Sequence, residues 1–125
     1  PVIIRGDGRA EYIDLPDGLV LGVMENIDYQ VSTIKLAPKD RLLCYTDGVT
    51  EAMNHDKELY GSERLIGVIG SNSTLDIQDL TGKVMEDVVF FAANAPQSDD
   101  ITLLCLEYKG FTKTNCPPIL HRCYC

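Results

Sequence analysis

The chain has 125 residues, 45% hydrophobic and 24% charged, with 19 acidic against 11 basic side chains and a net charge of −8. These values suit one globular domain or part of one, with enough length for a core. The acidic balance argues against nucleic acid as a partner and against direct membrane contact, since both reward Lys/Arg clusters. No run has the length of a membrane-spanning helix, and no signal-peptide pattern opens the chain. The absence of Met at position 1 suggests a piece of a longer protein.

Residues 2–5 are a short β-rich run, and Gly6-Asp7-Gly8 supplies hairpin turn chemistry. Residues 11–15 follow as a second strand, which makes Asp7 a turn residue. Pro16-Asp17-Gly18 is a further turn signal, and residues 19–24 are apolar. Residues 29–36 alternate apolar and polar and read as a strand. Ala37-Pro38-Lys39-Asp40 is a turn. The strand at 41–45 hardly alternates, which predicts burial on both faces or nearly so.

Beyond Gly48 the period changes. Residues 49–53 suit a short helical turn, and 54–61 a polar loop. Ser62 reads as the N-cap of a helix over 63–69 that Gly70 ends. Ser73-x-x-Asp76 resembles a capping box opening a longer helix. Leu80, Val84, Val88 and Phe91 make one apolar stripe on that helix, which predicts core packing. Asn94-Ala95-Pro96 stops it, and residues 101–106 form a last buried strand. Strands, then helices, then one returning strand argue an α+β fold with helices over one face of a mainly antiparallel sheet. Residues 110–125 read as an irregular Cys/Pro-containing tail.

Five cysteines are present. Cys44 and Cys105 lie in apolar runs and read as small buried hydrophobes. Cys116, His121, Cys123 and Cys125 match no strong zinc spacing. An odd count with two core thiols fits a reducing, cytoplasmic setting.

Two carboxylate positions carry chemistry. Asp47 follows one apolar strand, and Asp99-Asp100 precedes another. Were those strands antiparallel neighbours, Asp47 would meet Asp99 or Asp100 at one edge. Clustered carboxylates repel, and a divalent cation relieves them. Oxygen donors suit Mg²⁺ or Mn²⁺ better than zinc or copper. Consecutive extended residues point to opposite faces, so only one of Asp99 and Asp100 should face a given metal. Gly48 would allow a tight turn or a positive φ after Asp47. Glu51 could share the side of Asp47, as a supporting group at best. Asp-Gly is also a common turn pair, and spacing alone leaves turn and ligand both open. His55 and His121 stand in polar contexts that suit solvated side chains. No Gly-rich phosphate loop or nucleophile elbow occurs.

The motifs permit a family comparison. "KDRLLCYTDGVTEAMN" at 39–54, "LYGSERL" at 59–65 and "SDDITLLCL" at 98–106 follow "LGV" at 21–23. Their order and spacing resemble the bacterial type 2C (PPM) serine/threonine phosphatases of the SpoIIE/RsbU branch, over residues 1–109. The resemblance implies a layered β-sandwich with flanking helices and two Mn²⁺ or Mg²⁺ ions. A metal-activated water would hydrolyse phosphoserine or phosphothreonine. Asp47 matches the family's metal-binding Asp in "TDG", Asp99 matches the second metal-binding Asp, and Asp100 takes an Asn-like position. Gly48, Glu51 and Asp100 would support the ligands. The implied substrate is a phosphorylated protein, in this branch often an anti-sigma-factor antagonist in bacterial signalling. The family's domain is longer, and its N-terminal metal motifs have no match here. Asp7-Gly8, in a predicted hairpin, is not assigned to them. The chain therefore reads as a C-terminal portion holding about half the ligands, inactive alone and prone to self-association or weak stability. A non-catalytic, partner-binding phosphatase-like module is the alternative.

Overall fold

In the computed structural model, residues 1–14, 28–93, 95–97 and 99–110 are described. Their elements are β1 (Val2–Ile4), β2 (Ala10–Tyr12), β3 (Arg41–Tyr45), α1 (Asp47–Thr50), α2 (Ser62–Ser71), α3 (Ile77–Ala92) and β4 (Leu103–Glu107). The strands form one antiparallel sheet in the order β2-β1-β3-β4. The α+β reading holds. The expected apolar run at 19–24 and the tail from 111 onward lie outside the described residues.

The hairpin forms as the Gly-Asp-Gly turn predicts. Gly8 takes φ 91°, its N–H donates to the Arg5 carbonyl at 2.8 Å, and Asp7 ties back to Arg9. Only glycine adopts that φ without strain. The β1–β3 and β3–β4 registers align Val2, Leu43 and Cys105 on one face of the sheet. That face packs on Leu65 and Ile69 of α2 and on Leu80, Val84 and Val88 of α3, so the predicted stripe is core.

The opposite face carries Ile3, Leu42 and Leu106 in one row and Cys44 and Leu104 in the next. Leu104 is 58% exposed and Leu106 42% exposed. The expected burial at 101–106 is therefore incomplete, whereas every residue of 41–45 is buried or half-buried; among the described residues the helices cover only one side of the sheet. Cys44 and Cys105 are half-buried, not fully buried.

Residues 29–36 are not a strand. β-propensity is mostly a measure of cross-strand and same-face packing, and among the described residues no strand pairs with the segment. Val31 is 87% exposed.

Helix starts differ in detail from the expected caps. Gly61, not Ser62, is the N-cap of α2, with φ 76°, and Gly70 lies inside that helix. Asp76 caps α3 directly, its side chain accepting the Asp79 N–H at 2.9 Å. Ser73 instead presents its carbonyl to Arg41, whose guanidinium also reaches the Leu75 carbonyl and Glu107. One β3 side chain thus ties the α2–α3 connection to the sheet.

Two carboxylates hold the frame. Asp87 on α3 takes both nitrogens of the Arg64 fork at 2.7 and 2.9 Å and the Tyr60 hydroxyl at 2.8 Å. Arg64 lies over the rings of Tyr60 and Phe91, adding cation–π contact. Asp40, only 3% exposed, accepts N–H groups of Ala37 and Gly6 at 2.9 Å and Arg5 at 3.1 Å. It joins the 37–40 turn to the β1–β2 hairpin. The bond from Ala37, then that from Gly6 and the Arg5 cation, hold the Asp40 carboxyl below its ordinary range despite burial. Its stabilisation is full above the unfolded value and is lost as pH falls through the lower folded value.

We expect Asp40→Asn to lower the unfolding free energy by about 1–3 kcal/mol at neutral pH, because it leaves a buried donor unmatched. Below about pH 4 the wild type should lose this advantage, so the two stability curves converge. Urea denaturation across pH 2–7 checks this, and parallel curves would contradict it.

Candidate metal site at the strand ends

The β3–β4 register runs Arg41↔Glu107 through Tyr45↔Leu103. The residues just after β3 therefore face those just before β4, and this neighbourhood is the one the sequence made conditional. Thr46 makes one backbone bond across the gap, its N–H donating to the Thr102 carbonyl at 3.1 Å.

Asp47 opens α1 and is exposed, and its Oδ1 accepts the Gly48 N–H at 3.0 Å. Asp99 is also exposed, and its Oδ1 accepts the Asp100 N–H at 2.7 Å. Each carboxylate thus spends one oxygen on its own loop. Among the described residues, no donor occupies Oδ2 of either, or the Asp100 carboxylate. Tyr45, at the end of β3, has its phenol pushed up to about 12, chiefly by burial and then by Tyr12, so it adds no charge at neutral pH.

Gly48 has a different role from the one its sequence context suggests. It is helical and has no positive φ. Instead it is buried against the other loop. A Cβ there would lie 2.5 Å from the Asp100 carbonyl oxygen and 3.2 Å from that of Asp99. The glycine is needed for close approach of two backbones, a constraint visible only once β3 and β4 are paired.

Glu51 is the C-cap of α1, its N–H donating to the Asp47 carbonyl at 2.8 Å, and its side chain is exposed. His55 contacts the Ala93 carbonyl at the end of α3 through Nε2 at 2.9 Å. His121 lies outside the described residues.

The donors are carboxylate oxygens, the right chemistry for a hard divalent cation. Their number is small: among the described residues, no group of three His, Cys, Asp or Glu side chains could hold a metal ion. Mg²⁺ is commonly held by one or two carboxylates together with waters and substrate phosphate, so a short donor set fits a site completed by other groups. Sequence reading missed Thr46, whose signal was its place directly before Asp47.

Gly48→Ala should lower the unfolding free energy by about 1–3 kcal/mol through overpacking. Gly67 on α2 has nothing within 4 Å of a built Cβ. Gly67→Ala should therefore add about 0.5–1 kcal/mol from helix propensity alone. Chemical denaturation of both variants checks the contrast, and a neutral Gly48→Ala would contradict the close approach.

Comparison with known proteins identifies the family and the fold. The family model described as Stage II sporulation protein E (SpoIIE) matches residues 1–109. Protein IcfG of Synechocystis sp. is 30% identical over 106 residues, which is 83% of this chain and 16% of that protein. The fold resembles the SiaA-PP2C domain of Pseudomonas aeruginosa, with TM-score 0.54 and 22% identity over 60% of this chain and 31% of that one. It also resembles the phosphatase domain of the cell fate determinant SpoIIE from Bacillus subtilis, presoaked with Mn. There the TM-score is 0.57 at 19% identity, over 89% of this chain and 47% of that one. The chain thus spans less than half the length of each of these proteins, and the likeness bears out the type 2C layered fold class. With both strands of the carboxylate edge inside the family match, the chain belongs to the SpoIIE family of bacterial PPM (type 2C) phosphatases.

Proposed function

We propose that this chain contributes one wall of the active site of a metal-dependent protein serine/threonine phosphatase. The observation that carries the reading is the apposition of the Asp47 loop and the Asp99-Asp100 segment, with Gly48 packed on that backbone. Asp47 and Asp99 are the proposed ligands for Mn²⁺ or Mg²⁺, and Gly48, Glu51 and Asp100 support them. When bound, a pair of such ions supplies Lewis-acid polarisation of a phosphoryl group and an activated water. The chain's own part is to hold the two carboxylates at one exposed edge, where a phosphorylated side chain can approach. Gly48 keeps that edge narrow, and the bonds within each loop fix one oxygen of each carboxylate.

The proposed substrate is a phosphoserine or phosphothreonine protein, such as an anti-sigma-factor antagonist, in bacterial cytoplasmic signalling. The acidic composition suits no nucleic-acid role. Among the described residues, no helix is long and apolar enough to cross a membrane. The partly exposed Leu104 and Leu106, on the sheet face away from the helices, support self-association of the chain. A non-catalytic partner-binding module is the second reading, supported by the small donor set. An aspartyl-phosphate mechanism on a parallel β-α-β sheet has no support, since every described strand pair is antiparallel.

Calorimetry should show weak Mn²⁺ binding that Asp47→Ala removes, and no affinity in the wild type would contradict the site. The chain alone should hydrolyse phosphopeptides little, and robust Mn²⁺-dependent turnover would show that its ligand set is sufficient. Sedimentation at micromolar concentration should reveal species larger than a monomer, whereas a strict monomer would contradict self-association.

A further inference from the structure

Thr46 occupies the N-cap position of α1, yet its side chain makes no cap bond to that helix. Threonine at such a position ordinarily accepts from a first-turn N–H. Here the hydroxyl turns the other way. It donates to the Asp100 carbonyl at 2.8 Å and accepts the Thr102 N–H at 2.9 Å. One hydroxyl has a proton to give and lone pairs to receive, so both bonds can stand at once. They flank Ile101 and fix the backbone that presents Asp99 and Asp100. Gly48, two residues on, is pressed against the same carbonyl of Asp100. The segment before β4 is thus held by attraction from Thr46 and limited by contact with Gly48.

We propose that Thr46 is a positioning residue for the carboxylate edge. Its hydroxyl sets the separation between Asp47 and Asp99-Asp100, and through that spacing sets their joint affinity for a divalent cation. The inference rests on the metal reading above and deepens it by naming the side chain that spaces the ligands. Thr46 itself touches neither metal nor substrate. A role limited to folding would instead predict loss of stability with unchanged ligand affinity.

The test compares wild type, Thr46→Ser and Thr46→Val in the 125-residue chain. Mn²⁺ affinity is read by calorimetry, and exchange of the Thr102 amide by NMR. Groups that orient metal ligands typically govern affinity by about 10–100-fold. Val should therefore weaken Mn²⁺ by at least about 10-fold on that scale and speed Thr102 exchange, while Ser keeps both near wild type. Should Val not fold, Thr46→Ala carries the same expectation. Faster Thr102 exchange with unchanged Mn²⁺ affinity would overturn the positioning role, and so would a Ser variant as weak as Val. A wild type without Mn²⁺ affinity contradicts the metal reading itself. In that case unchanged Thr102 exchange in Val would separately overturn the pinning by the hydroxyl.

Discussion

A missing side chain at Gly48 lets the first turn of α1 lie directly on the backbone of Asp99 and Asp100. Every other feature of the carboxylate edge depends on that contact. The β3–β4 ladder brings the two segments to the same end of the sheet, but a ladder alone leaves loops free to splay. The 2.5 Å clearance for an added Cβ shows how little room the packing leaves.

The rest of the fold keeps the ladder in place. Arg41, at the start of β3, binds Glu107 across the ladder and the carbonyls of Ser73 and Leu75 between the helices. Asp40 fixes the turn that feeds β3 and attaches it to the hairpin. The Tyr60, Arg64 and Asp87 cluster ties α2 to α3 through charge-assisted bonds and ring contacts. Asp87 is kept below its ordinary range chiefly by Arg64, so this clasp holds at neutral pH. The polar clasps adjoin the apolar core formed by Leu43, Leu65, Leu80 and Val84, and Tyr60 of the Asp87 clasp belongs to that core.

Local chemistry made much of this legible in the sequence. The Gly-Asp-Gly turn, the α3 stripe and the two apolar strands each have a short-range physical signature, and each appears where it was read. Features that depend on partners were not legible. Residues 29–36 have the strand pattern but pair with no strand among the described residues, and 101–106 has a buried pattern yet leaves Leu104 and Leu106 partly exposed. The α2 cap went to Gly61, whose positive φ precedes the helix, and α3 is capped by Asp76, a favoured N-cap residue, through its own side chain. At the site, the sequence set Asp47 beside Asp99-Asp100 only on condition that the two strands be antiparallel neighbours, a condition the β3–β4 register meets. The actual need for Gly48 and the cross-loop hydroxyl of Thr46 were not legible, since both arise from backbone approach between distant segments.

The central claim is that Asp47 and Asp99-Asp100 act as one cation-binding edge. Paramagnetic broadening of backbone amide signals under substoichiometric Mn²⁺ tests it most directly, because it reports where the ion sits without requiring turnover. The account predicts that Gly48, Asp99, Asp100 and Ile101 broaden first and together. Broadening of one loop without the other, or first appearance at another acidic surface such as Asp7 or Glu58, would contradict it.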